Sequence, residues 1–247
     1  AKIGLKTCPR KEKFISFHPE HFEDPETLED LPAGTETVED GFIFAGTPIA
    51  RDNPSLAALL APILSDTKDL LSLLSHPLMP HYDGYHFLQQ CANAKANHLV
   101  RVLSPHAIEE SNFAKDFDEL IMAKLMDLIN CISLPEKALQ QACLPFSKAG
   151  LGLRPLERKS NFAFIAAAAA TSSLWLRLFK KGAHRSEYAR SVQTAINKVI
   201  DDDLIHSYDR KELLPDDDAL DTFFDFYATG SGKDLKKIQR CLTQALT

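Results

Sequence analysis

The spacing of hydrophobic residues along the chain changes at about residue 50. Before that point the apolar residues form two short runs, Phe14–Phe17 and Gly41–Ala45, which are rich in phenylalanine and isoleucine. Such runs predict two β-strands. The segment between them, residues 19–40, is rich in proline, glutamate and aspartate and predicts an exposed loop, because it has few residues to bury.

After Pro54 the apolar residues recur at the three- and four-residue spacing of amphipathic helices. Ser55 is a candidate cap for the first helix, and Pro62 is expected to kink or split it, because proline lacks the backbone N–H. The pattern therefore predicts a mainly α fold with a short N-terminal β-hairpin in residues 1–52 and a helical region in residues 53–247. The predicted helices cover residues 55–64, 66–76, 85–103, 113–132, 135–144, 157–180, 186–200, 218–227 and 233–245.

The formal net charge of −6 does not by itself favour a nucleic-acid partner. The charges are segregated, however. Segments 19–40 and 201–225 are strongly acidic, whereas segment 148–190 holds nine Lys/Arg against two Glu. This basic segment could form a positive face for a polyanion, or its residues could simply be solvated on helix surfaces.

The cysteines and the longest apolar run bear on where the protein works. The five cysteines are scattered and include no Cys-x-x-Cys pair, which argues against a disulfide framework or a cysteine zinc site and favours a reducing, intracellular compartment. The run Phe162–Ala170 is about half as long as a membrane span, so no membrane partner is expected. The chain begins in mid-pattern and without an apolar signal segment, so we expect a piece of a longer protein.

Four segments occur in an order that points to one protein family. They are GLKTCPRK (4–11), GTPIA (46–50), QCANAKANHLVR (90–101) and LPFSKAGLGLR (144–154). In this order they resemble reverse transcriptases of the non-LTR retroelement type, in the part that follows the catalytic aspartates, and Lys237–Arg240 resembles the C-terminal flank of that family. Ala149 stands where the family tends to have the first of two glycines, which suggests a diverged or decayed copy.

The resemblance implies the end of a palm followed by a thumb-like helical bundle and connection. It also implies that the chain alone does not polymerise nucleic acid, that Mg²⁺ serves the parent enzyme, and that this chain itself holds no cofactor. The implied partners are an RNA–DNA or DNA duplex and the upstream palm and fingers of the same polyprotein. Lys11 matches the family lysine near the phosphates of the incoming nucleotide, and the turn of the primer-side hairpin, at Gly46, Thr47 and Pro48, would brace the primer end.

The thumb of such an enzyme holds a duplex by its phosphates, so basic residues in the matched segments are candidate contacts. Their alternative role is structural, as a helix C-cap at Arg101 or as a solvated face at 158–159. The two glycines of segment 144–154 are expected to give a flexible backbone that suits a phosphate. The full candidate set is Lys95, His98, Arg101, Lys148, Gly150, Gly152, Arg154, Arg158 and Lys159.

Other chemistry has weaker support in the sequence. The acidic clusters 201–203 and 216–218 are interpreted as helix caps rather than metal ligands. Histidines 18, 21, 76, 81 and 86 are interpreted as structural, so no metal site is predicted. The alternatives to a reverse-transcriptase fragment are a helical protein–protein interaction module or a domesticated, inactive retroelement-derived protein.

Overall fold

The computed structural model describes residues 13–15, 35–178 and 183–201. Most of these residues are helical, as the hydrophobic pattern predicts, and a small antiparallel hairpin lies near the N-terminus. The chain divides into two compact units, Ala1–Ile63 and Leu64–Thr247, where the sequence predicted a boundary after residue 52. Lys11, most of the acidic loop, the last two predicted helices, the acidic cluster 216–218 and histidines 18 and 21 lie outside the described residues.

The first unit contains four short strands: β1 (Lys13–Phe14), β2 (Glu36–Thr37), β3 (Gly41–Phe44) and β4 (Thr47–Ala50). The predicted second strand forms as β3, and it pairs antiparallel with β4, which the hydrophobic pattern did not predict. β1 pairs with β2 in parallel.

A two-residue turn closes the β3–β4 hairpin. Ala45 and Gly46 both have positive φ, +50° and +79°, as the type I′ hairpin turn requires. Thr47 and Pro48 therefore lie inside β4 and not in the turn that the sequence predicted.

The first helix, α1 (Asn53–Ser72), differs from its prediction in two ways. Its N-terminal cap is Asp52, which accepts a hydrogen bond from the backbone N–H of Ser55 at 2.9 Å, so Ser55 is not the cap. The helix also continues through Pro62, so the expected split at that residue does not occur. Proline removes one backbone hydrogen bond, and the buried leucines on both sides, such as Leu60 and Leu71, keep their helical spacing.

The second unit is a helical bundle built around one long helix. That helix, α7 (Leu156–Leu178), packs against α3, α4, α5 and α8. Its alanine-rich middle, with Ala168 and Ala169 buried, permits close approach of its neighbours. The other helices are α2 (His81–Phe87), α3 (Leu99–Val102), α4 (Pro105–Glu110), α5 (Phe113–Leu128), α6 (Glu136–Cys143) and α8 (Ala183–Asp201).

The apolar stripe predicted for α5 is part of the core of this unit. Phe113, Phe117, Ile121 and Leu125 are almost fully buried. Phe162, on the neighbouring helix α7, is buried to the same degree. The stripe was predictable because a helical period of 3.6 residues places these positions on one face.

The predicted helix 85–103 is not continuous. A π-turn (Leu88–Ala92) follows α2, and the N–H of Asn93 donates to the carbonyl of Leu88, five residues back, at 2.8 Å. From Lys95 to Arg101 several N–H groups donate to carbonyls three residues back, at 3.0–3.2 Å. This tighter 3₁₀-like winding places residues three apart on the same edge.

Candidate nucleic-acid interface

The second unit contains a groove of about 780 Å³ between segment 89–101, the turn at 145–154 and α7. Three basic residues from these separate segments line it: Arg101, Arg154 and Lys159. No Asp or Glu is among the lining residues that the structure describes. Such a groove attracts an anion, because its positive charges face no carboxylate within the wall.

A polar network fixes the turn that carries Arg154. With its amide oriented so that both atoms find partners, Asn93 donates to the Arg154 carbonyl at 3.3 Å and accepts from the Arg154 N–H at 3.1 Å. The ammonium of Lys159 donates to the same carbonyl at 3.3 Å and to the carbonyl of Asn93 at 3.5 Å. These contacts use the backbone of Arg154, so they hold the residue in place without engaging its guanidinium.

Lys159 is a buried cation whose hydrogen-bond acceptors are neutral carbonyls. Burial lowers its pKa to about 8, against the opposing effect of the Asp118 carboxylate. The lysine is therefore mostly charged at pH 7 and adds positive charge to the wall of the groove.

Asp118, on α5, caps α7 from outside that helix. Its carboxylate accepts hydrogen bonds from the N–H groups of Leu156 and Glu157 at 2.6 and 2.9 Å. Burial raises its pKa to about 6, although the two N–H donors and Lys159 oppose the shift. The cap fixes the end of α7 that carries Lys159 and satisfies two N–H groups that a helix start leaves free.

The glycine turn is rigid, and its backbone amides are already used. The N–H groups of Gly150 and Gly152 donate to the carbonyls of Pro145 and Leu144, at 3.0 and 2.8 Å. A Cβ on Gly150 would lie 1.9 Å from the Leu144 carbonyl oxygen, so glycine is required by close packing. The expected flexible, phosphate-wrapping backbone is thus replaced by a fixed turn that presents Arg154.

A second cavity, of about 870 Å³, shares Arg154 and Lys159 with the groove as lining residues. Its wall adds Lys115, Arg158 and Lys198, but also Glu109 and Glu157. Lys198 donates to the Glu109 carboxylate. This cavity is therefore partly neutralised by its own carboxylates, whereas the groove is not.

The structure brings together only part of the predicted set. Arg101, Gly152, Arg154 and Lys159 line the groove, and Arg158 lines the second cavity. Lys95, His98, Lys148 and Gly150 are among the lining residues of neither space. The histidine ring contacts the carbonyl of Lys95 at 3.2 Å, and the carbonyl of Lys148 accepts from Gln141 at 3.0 Å.

Sequence reasoning missed the uncharged residues of the groove. The amide side chains of Gln89, Gln90, Asn93 and Asn97 and the ring of Phe146 line it beside the cations. Most of them lie inside the two matched segments, and the spacing of residues 90, 93 and 97 was a visible signal. A prediction based on charge alone does not include them.

Other possible site chemistry is limited in the described part of the chain. No three His, Cys, Asp or Glu side chains among the described residues are grouped so that they could hold a metal ion. None of the described helices combines the length and the apolar character needed to cross a membrane. Comparisons with protein-family models, with curated proteins and with solved structures found no match to this chain.

Proposed function

We propose that this chain is the nucleic-acid-positioning part of a reverse transcriptase of the non-LTR retroelement type, without catalytic aspartates of its own. In this proposal residues 1–52 are the end of a palm, and the helical bundle acts as thumb and connection. The upstream palm and fingers of the same polyprotein would supply the aspartates and their Mg²⁺. Lys11 would then lie near the phosphates of the incoming nucleotide.

The observation that carries the proposal is the groove with three cations and no carboxylate in its described wall. Two of the four family-like segments, 90–101 and 144–154, are far apart in sequence and meet there. Their basic residues Arg101 and Arg154 are exposed, and phosphate contacts of this kind supply most of the sequence-independent affinity for a duplex. The β3–β4 hairpin forms where the resemblance expects a primer-side hairpin.

Salt-dependent binding tests this proposal. The full chain should bind a labelled RNA–DNA duplex in fluorescence anisotropy, with log K falling linearly as log salt rises between about 50 and 200 mM. Arg101→Ala combined with Arg154→Ala should lower the slope by about one for each phosphate that the variant no longer binds. Neither substitution disturbs the network at residue 154, because that network uses backbone atoms.

Lys137→Ala is the matched control, because Lys137 is an exposed lysine on α6 outside the groove. Its slope should equal that of the wild type. Failure of a folded protein to bind the duplex at about 50 mM salt overturns the proposal.

A second candidate function, a protein–protein interaction module, rests on exposed apolar residues near the C-terminal end of α5. Residues 73–84 lie against that end: the Ser75 hydroxyl donates to the Asp127 carboxylate at 2.9 Å, and a Cβ on Gly84 would lie 3.0 Å from the Leu128 side chain. Several large apolar side chains of these two segments are exposed, namely Leu73, Leu78, Tyr82, Ile129 and Ile132. Exposed apolar groups of this kind are typical of interaction surfaces, and a folded chain that binds no duplex would favour this function.

A further inference from the structure

Phe146 is the one large aromatic ring of the groove that is exposed among its described lining residues, with 57% of its surface open to solvent. It begins a short 3₁₀ turn (Phe146–Lys148), and the N–H of Ala149 donates to its carbonyl at 3.0 Å. Hydrophobic burial does not account for this position, since an exposed phenylalanine gains little from packing. Its backbone, in contrast, is held firmly.

An amide side chain lies close to this ring, with Gly152 between them. A Cβ on Gly152 would lie 2.8 Å from Nε2 of Gln89 and 3.6 Å from a ring carbon of Phe146. A side chain at this position would clash with the amide of Gln89, so glycine allows the amide and the ring to lie this close to the turn. Oδ1 of Asn97, another lining residue, is buried without a hydrogen-bond partner in the described part of the chain.

These groups match the parts of an unpaired nucleotide. A base stacks on an exposed aromatic ring, and its edge pairs with amide donors and acceptors. The guanidinium groups of Arg101 and Arg154, on the same wall, suit the flanking phosphates. Without a carboxylate in the described wall, nothing there repels the backbone of the nucleic acid.

We propose that the groove binds an unpaired nucleotide of a single-stranded segment, with its base against Phe146 and Gln89 and its phosphates at Arg101 and Arg154. This proposal rests on the proposed function, because it assumes a nucleic-acid partner. A base inside a duplex is stacked on both faces and offers only its edges in the grooves. A ring such as Phe146 can stack only on a base that is not covered in this way.

Binding of three labelled probes by the full chain tests this assignment. The probes are a single-stranded RNA, a blunt RNA–DNA duplex of equal length and the same duplex with a single-stranded overhang. The wild type should bind the overhang probe more tightly than the blunt duplex. Phe146→Ala should weaken binding of the two probes with unpaired bases by about fivefold or more and change blunt-duplex binding less than about twofold.

Two further variants serve as controls, and a third tests the amide of Gln89. Phe146→Tyr keeps the ring and should bind as the wild type does. Leu78→Ala removes a side chain that is 85% exposed and lies outside the groove, and it should change no affinity. Gln89→Ala should weaken the same two probes as Phe146→Ala, since it removes the amide beside the ring.

The outcomes separate this proposal from the proposed function. Equal loss of affinity for all three probes in Phe146→Ala, or no loss for any, overturns the base site while duplex binding through Arg101 and Arg154 stands. Absence of salt-dependent binding to every probe overturns both.

Discussion

Two buried lysines of the second unit, Lys124 and Lys159, show how the same side chain serves two purposes. Each exposes only 7% of its surface. The ammonium of Lys124 lies 2.6 Å from the Asp127 carboxylate and also donates to Ser75. The ammonium of Lys159 donates to two neutral backbone carbonyls, at 3.3 and 3.5 Å.

The hydrogen-bond acceptor of each ammonium determines whether its positive charge is balanced locally. The pair at Asp127 is close to neutral, and Lys124 together with Ser75 holds the pKa of that carboxyl below its usual value. Lys159 has no carboxylate within hydrogen-bonding distance among the described residues. The Asp118 carboxylate acts on it from farther away and does not cancel the effect of burial on its pKa, so the charge of Lys159 adds to that of Arg101 and Arg154 in the groove. Desolvation of this ammonium is unfavourable, and it lowers the pKa of Lys159 to about 8. One lysine thus stabilises the fold, and the other charges a surface.

The largest expected effect is that Lys159 makes the free energy of unfolding depend on pH. Its pKa is about 8 in the folded chain, against an ordinary value of 10.5, so the unfolded chain binds more protons between these values. The destabilising effect of this lysine is therefore complete below pH 8 and is relieved as the pH rises to 10.5. The free energy of unfolding should therefore rise by about 3 kcal/mol over this pH range.

Urea denaturation of the wild type and of Lys159→Met at three pH values, about 7.5, 9 and 10.5, measures this relief. The difference between the two free energies of unfolding should shift in favour of the wild type as the pH rises. A difference that stays constant with pH means that the Lys159 ammonium is not desolvated.

Breaking the pair of Lys124 should have the next largest effect. Asp127→Ala leaves the buried ammonium with only the Ser75 hydroxyl as its described acceptor. We expect the free energy of unfolding to fall by about 1–2 kcal/mol, less than for a fully buried pair, because Asp127 itself is exposed. Glu119→Ala, which removes an exposed acid on the same helix, should cost less than about 0.5 kcal/mol. Equal losses of stability in the two variants would show that the pair adds no stability.

The smallest expected effect is the change in duplex affinity at neutral pH when each of the two lysines is replaced by methionine. Lys159→Met should weaken binding about two- to fivefold and lower the salt slope by no more than about 0.9, the value for one phosphate. Lys124→Met should leave affinity and slope unchanged, because its charge is balanced by Asp127. Anisotropy titrations of the two variants with the same duplex measure both affinities and both salt slopes. Similar losses of affinity from both would remove the distinction between a charging and a stabilising lysine.

The sequence predicted the periodic elements well and the irregular ones poorly. The prediction of the apolar stripe of α5 was confirmed, because the residues that one face of a helix buries recur at regular spacing in the sequence. The single helix 85–103 was wrong: nothing in its spacing indicates the π-turn at Leu88–Ala92 or the tighter winding that follows. The hydrophobic pattern also did not predict β4 as the partner of β3, because the hairpin turn uses Ala45 at a positive φ that alanine rarely adopts.

For the candidate site, the sequence supplied the residues but not their grouping. Arg101, Arg154 and Lys159 could be chosen because basic residues in the matched segments suit phosphates. The exclusion of Lys148 from the groove and the inclusion of Phe146 could not be predicted, since they depend on how distant segments meet.

By itself the sequence determined the helical class, the strand at Gly41–Phe44, the buried face of α5 and the segregation of charge, because each is a local or periodic property of the chain. Only the tertiary structure decided that Lys124 contacts a carboxylate directly, whereas the hydrogen-bond acceptors of Lys159 are neutral carbonyls. It also decided that the glycine turn is rigid and that a ring, amides and arginines share one groove. The physical reason is that the free energy of a buried charge depends on which groups from distant segments surround it, and chain order does not specify those groups.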